Sequence, residues 1–187
     1  MKIRYNAPVI LTYALISVLI MALTKYFLPS LSENWFAVPG RGNFSITSFR
    51  NWVNLFTHVI GHTSWEHLIG NFSFILLLGP LLEENYKSLT MLFIIVITAL
   101  TTGIINVLFF PTLLMGASGV VFMMILLASF TNITRGEIPM TFILVLVLYL
   151  GGQIIMSINT NNISYTAHIA GGFCGSVFGF IFRTKRR

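Results

Sequence analysis

The sequence predicts an all-α membrane protein: a bundle of six transmembrane helices with both termini in the cytoplasm. Composition is the first reason, because 56% of the 187 residues are hydrophobic and only 9% are charged, where an ordinary soluble domain carries roughly a quarter charged residues. Mean hydropathy is +0.85. The second reason is that apolar runs of spanning length recur along the chain, divided by short polar or Gly/Pro-containing breaks. One crossing takes about 20 residues, so six take about 120 and leave no room for a separate soluble domain. The third reason is the placement of charge. Lys2, Arg4, Lys87, Arg135, Arg183, Lys185, Arg186 and Arg187 fall on one side of the six-helix arrangement, and Lys25, Arg41 and Arg50 on the other. The positive-inside rule makes the first side cytoplasmic.

The chain thus reads as a single integral membrane domain over 1–187. Its first helix spans about 7–27, an apolar stretch too long for a signal-peptide h-region and without a small-x-small cleavage pattern. A long connector, about 29–64, follows on the outer side. It holds Trp35 and Trp52, with Trp65 just beyond, and amphipathic indoles place such a loop at the headgroup level. The second helix spans about 65–82, its polar start facing protein rather than lipid. The remaining helices span about 89–110, 117–133, 138–158 and 163–182. Glu83 and Glu84 close the second helix on the cytoplasmic side, where water or a basic neighbour is expected to satisfy them.

The formal charge of +6 does not indicate nucleic acid, because the basic residues lie at the chain ends and in short gaps rather than in a patch. Cys174 is the one cysteine, so no intramolecular disulfide forms, and its apolar, glycine-rich surroundings mark it as a small packed side chain. No cofactor motif is present. The sequence contains no aspartate, which excludes any mechanism requiring one.

With so few ionisable groups, the histidines carry the information. A histidine in a membrane helix needs a partner or a wet cavity, and His168 stands about one turn into the sixth helix. Helices two, four and six all run inward from the outer side, so their N-terminal ends share a depth. That layer collects His67 and Asn71, four apart on one face of the second helix, Ser118 at the start of the fourth, and His168 of the sixth. Gly171, Gly175 and Gly179 continue the His168 face at four-residue spacing, a seam along which another helix backbone approaches closely. If the fourth helix fills that groove, Ser118 comes within reach of His168. Gly116 and Gly119 flank Ser118 and permit tight turns, and a helix N-terminus adds unpaired N–H groups.

This arrangement suits acyl transfer by an activated serine, with His168 as general base and then general acid. Without aspartate it is a dyad. The Ser118 backbone N–H, Asn71 and His67 are available to the oxyanion. His58 and His62, in or near the outer loop, are expected to bond loop backbone. A metal site made from them with His67 lacks the acid or cysteine that would complete it, so none is expected.

Five segments in this order carry a family resemblance: Thr57-His58-Val-Ile-Gly-His62, His67-Leu-Ile-Gly-Asn71, Gly79-Pro-Leu-Leu-Glu83, Gly116-Ala-Ser118-Gly119, and Ala167-His168-Ile-Ala-Gly171 with Gly175. Over about Thr57 to Gly179 the chain resembles the rhomboid intramembrane serine proteases in their minimal six-helix bacterial form. The resemblance implies a multi-pass protein of the cell (plasma or inner) membrane, with Ser118 as nucleophile, His168 as base, and His67 and Asn71 on the oxyanion side. It also implies single-pass membrane proteins as substrates, cut near the outer face after passing laterally by helix five and the 157–164 loop. Two positions depart from the family pattern. Val53-Asn54 stand where many rhomboids carry Trp-Arg, implying different loop anchoring. Phe122 stands where the family usually has tyrosine, so a ring can stack under His168 without a phenolic hydrogen bond. Two other readings compete: a catalytically silent rhomboid-like protein that binds membrane helices, and a small metal permease using His58, His62 and His67. The first class typically lacks the serine or histidine, and the second needs polar groups near the bilayer midplane.

Overall fold

The computed structural model describes residues 5–130, 140–145, 147 and 163–182. Among them the chain is helical, with a single antiparallel bridge between Val38 and Leu114. Helix α1 is Pro8–Tyr26, α2 Leu31–Trp35, α3 Phe49–Thr57, α4 Trp65–Tyr86, α5 Ser88–Phe109, α6 Ser118–Phe130, α7 Met140–Val145 and α8 Ile163–Ile181. Helices α1, α4 and α5 are long and apolar enough to cross a membrane, and α6 and α8 contain shorter apolar helices. The predicted 138–158 helix lies largely outside the described residues, as do both charged termini.

Helix α6 is the centre of the bundle. Every residue from Val120 to Leu127 is buried, which is what a helix apolar on all sides requires. It packs against α8, α4 and α5. The other long helices are one-sided: α4 buries Leu68, Phe72, Ile75 and Leu82, while Ile69, Leu76, Leu77 and Leu81 stay exposed. In water such a surface would be a liability. Facing hydrocarbon it needs no partner.

The C-terminal end of α4 corrects the expectation for Glu83. Its carboxylate is only 4% exposed. It accepts the backbone N–H groups of Val9 and Ile10, both at 3.0 Å. Pro8 has no N–H to satisfy, and Leu11 N–H already donates to Ala7 O at 2.9 Å. Glu83 therefore meets the unpaired amides at the positive end of α1, and a charged acceptor makes these bonds strong. Helix α4 also runs on to Tyr86 rather than stopping near residue 82. The fall in hydropathy after Leu82 marks where the chain turns polar, whereas the helix ends at Lys87, whose φ of +72° breaks it.

The connector between α1 and α4 contains two short helices, α2 and α3, that hydropathy alone treats as loop. Phe49, Trp52 and Phe56 of α3 are 77%, 47% and 42% exposed, while Asn51, Asn54 and Leu55 are buried. That i, i+3, i+7 stripe puts the aromatics on one exposed face of α3. Asn54 carries the anchoring on the other side: its amide donates to Ala37 O at 2.7 Å and Asn34 O at 3.2 Å. In place of the usual Trp-Arg pair, a buried carboxamide ties α3 to α2 and to the segment after it.

Candidate active site

The approach to Ser118 is held from three sides. Val38 N–H donates to Leu114 O at 2.9 Å and Leu114 N–H to Val38 O at 3.0 Å, pinning the strand-like stretch before the helix. Gly116 N–H donates to His58 O at 2.9 Å. Asn106 Nδ2 donates to Thr112 O at 3.1 Å. Gly116 itself has φ +124°, and a Cβ there would stand 2.6 Å from His67 Cε1 and 2.8 Å from Nε2. Only glycine meets both demands. Val121 N–H donates to Ala117 O at 3.0 Å, so the amides of Ser118, Gly119 and Val120 lie in the first turn, where helix donors have no carbonyl four residues back.

Helices α6 and α8 meet backbone to backbone. A Cβ on Gly171 would collide with the Gly119 carbonyl, and one on Gly175 with the Met123 carbonyl. A Cβ on Gly119 would lie 3.0 Å from Thr102 Cγ2 and 3.3 Å from Ala167 O. Ser118 and His168 are the chain neighbours of Gly119 and Ala167, so they flank the same contact from opposite helices. Both are half-buried. The rings of His168 and Phe122 stack with centroids 4.3 Å apart and planes 6° from parallel.

On α4, His67 has its Nδ1 3.1 Å from Thr63 Oγ1, and the Cε1–Nε2 edge of its ring faces Gly116. Asn71 is buried, and its Nδ2 would lie 3.8 Å from a Gly116 Cβ. Three helices thus bring Ser118, His168, His67 and Asn71 around one stretch, Gly116 to Gly119.

Residues 50–185 match the family model for the Rhomboid domain. The chain belongs to the rhomboid family. Rhomboids are in general intramembrane serine proteases, and with its apolar helices this one is an integral membrane protein. A search of curated proteins found no match.

The other two histidines of this rhomboid are built into its frame. His58 is 1% exposed, with Nδ1 3.3 Å from Asn54 O and Nε2 3.2 Å from Thr102 Oγ1. His62 is 2% exposed, with Nδ1 3.1 Å from Ile60 O and Nε2 3.1 Å from Asn71 Nδ2. Burial pushes the pKa of each down to about 4, aided at His62 by the neighbouring His67. His62 bonds loop backbone at Ile60, as expected, whereas the backbone partner of His58 is a carbonyl within α3. Neither side-chain partner, Thr102 nor Asn71, was visible in the sequence, because each pairs groups on different elements. The proposed passage beside helix five and the 157–164 loop falls mostly outside the described residues.

Proposed function

We propose that this rhomboid is an intramembrane serine endopeptidase that cuts single-pass membrane proteins near the outer membrane face with a Ser118–His168 dyad. The observation that carries the reading is the glycine contact between α6 and α8, which leaves Ser118 and His168 on either side of a backbone-to-backbone approach. Ser118 Oγ attacks the scissile carbonyl carbon while a His168 ring nitrogen takes its proton. The carbonyl oxygen becomes an oxyanion, received by first-turn amides of α6 together with Asn71 Nδ2 and the His67 ring. Collapse breaks the C–N bond, and His168 gives its proton to the leaving amine. Water, deprotonated by His168, then hydrolyses the acyl-enzyme and restores Ser118. With no aspartate in the chain, Phe122 does the orienting, its ring stacked on the imidazole.

A cell-membrane, multi-pass location of bacterial type agrees with this reading, with the substrate drawn laterally from the bilayer. A substrate helix weakened by glycine is preferred, since its backbone must leave helical hydrogen bonds before attack. The test is cleavage of a single-pass model substrate by the purified protein in proteoliposomes. Product is expected from the wild type and none from Ser118→Ala; undiminished cleavage by that variant overturns the proposal.

A further inference from the structure

We propose that His62 is a positioning residue that fixes the Asn71 carboxamide with its N–H₂ group as the donor facing the Gly116–Gly119 stretch. The inference rests on the oxyanion role proposed for Asn71 and deepens it. It follows from a chain of obligatory hydrogen-bond roles. Ile60 O can only accept, so His62 Nδ1, 3.1 Å away, carries the ring proton. A neutral imidazole has one N–H, which leaves Nε2 an acceptor. An acceptor 3.1 Å from the Asn71 amide must receive N–H, so Nδ2 rather than Oδ1 is turned toward His62. The same nitrogen is the Asn71 atom nearest Gly116. One of its two hydrogens is spent on His62, and the second is left to point toward the reacting carbonyl.

The alternative amide orientation would set Oδ1 against the His62 lone pair and present an acceptor to a developing negative charge. The fold prevents this by keeping the imidazole neutral and its tautomer fixed. His62 is 2% exposed, wedged against Phe72, ring centroids 5.7 Å apart, and against His67 at 5.0 Å. Buried imidazolium would be costly in this setting, and burial with the nearby His67 holds the His62 pKa at about 4. At neutral pH the ring therefore stays an acceptor at Nε2. His62 itself lies behind Asn71 and acts only through it.

The experiment is a double-mutant cycle in proteoliposomes, reading kcat and KM on a single-pass substrate together with the melting temperature. The set is wild type, Asn71→Ala, His62→Met, His62→Gln and the His62→Met/Asn71→Ala double variant. Removing an oxyanion donor lowers kcat by about 10²- to 10³-fold, which is the result expected for Asn71→Ala. His62→Met, about the same size but with no strong acceptor, is expected to lower kcat at least about tenfold with KM within about threefold. His62→Gln, whose Oε1 can take the Asn71 N–H, is expected to keep kcat within about threefold of wild type. In the Asn71→Ala background, adding His62→Met should change kcat by less than about threefold, because the residue it positions is gone. The inference is overturned if His62→Met is as harmful in that background as alone, or harmless in both. If His62→Met fails to fold, His62→Gln decides: a more than tenfold loss at an unchanged melting temperature sinks the idea. An inert Asn71→Ala removes the oxyanion assignment, and this inference with it, while leaving the Ser118→Ala result untouched.

Discussion

His58 and His62 sit in the connector between α1 and α4 with every ring nitrogen bonded to a protein group, and each is at most 2% exposed. His67 and His168 stand on α4 and α8, half-buried, one ring edge-on to Gly116 and the other stacked on Phe122. The difference lies in burial and in place. A ring committed at both nitrogens to backbone and neighbouring side chains can hold a loop or orient an amide, but it cannot shuttle a proton without breaking the frame. A half-buried ring beside the Gly116–Gly119 stretch stands where a proton can pass to or from a bound carbonyl group. In this rhomboid the same residue type serves as frame in one pair and as the proposed reacting group in the other.

Exchanging the roles should break the comparison most sharply. His168→Ala is expected to lower kcat by about six orders of magnitude while shifting the melting temperature little, since the ring leaves a half-buried position. His58→Ala should do the reverse, destabilising the fold by about 2–4 kcal/mol through a cavity and the lost hydrogen bonds of the ring, with kcat retained at temperatures where the protein stays folded. Turnover and thermal unfolding on the same two preparations check both halves.

Next in size is His67→Ala, expected to cost about 10²- to 10³-fold in kcat as a lost oxyanion-side donor. A loss as large as that of His168→Ala would mean that His67, rather than His168, is the base. The third prediction concerns pH. His58 and His62 have folded pKa values of about 4, below the ordinary 6.5, so between pH 6.5 and 4 the unfolded chain binds more protons than the folded one. Stability is full above about pH 6.5 and falls as pH drops toward 4, by a few kcal/mol in all. Melting temperatures across pH 7 to 4 should decline accordingly; a flat profile would mean that the two rings are not buried as neutral groups. The smallest effect is expected at Phe122. Phe122→Leu keeps apolar bulk but removes the stacked face, worth about 0.5–1.5 kcal/mol, and should slow turnover about 2- to 13-fold in kcat assays without unfolding the protein.

Much of this could be read before any coordinates, and the reason is physical. Hydrocarbon demands long apolar helices, so α1, α4 and α5 announce themselves by composition. A bundle of alternating spans then puts every second helix start at one level, which is how Ser118, His67 and Asn71 converge near Gly116 on topology alone. The close approach of α6 and α8 was visible too, because glycines at four-residue spacing have few other uses on a helix. What stayed hidden were pairings decided by tertiary geometry. Nothing local says that Glu83 will cap the start of α1 more than seventy residues earlier, and its polarity next to Glu84 reads as an exposed helix end. The His62–Asn71 bond is hidden for the same reason. Helix α3 is a different case: Phe49, Trp52 and Phe56 do repeat with helical period, but an interfacial helix is too short and too polar for a hydropathy window built to find spans.

The central claim is that Ser118 is activated by His168. The most direct measurement is covalent labelling of the purified, folded protein with a fluorophosphonate, followed by mass spectrometry of the adduct. One phosphonyl group on Ser118 is expected, with labelling lost in Ser118→Ala and in His168→Ala and retained in His58→Ala at temperatures where that variant is folded. Labelling that persists in His168→Ala at the wild-type rate, or an adduct on another residue, would contradict the account.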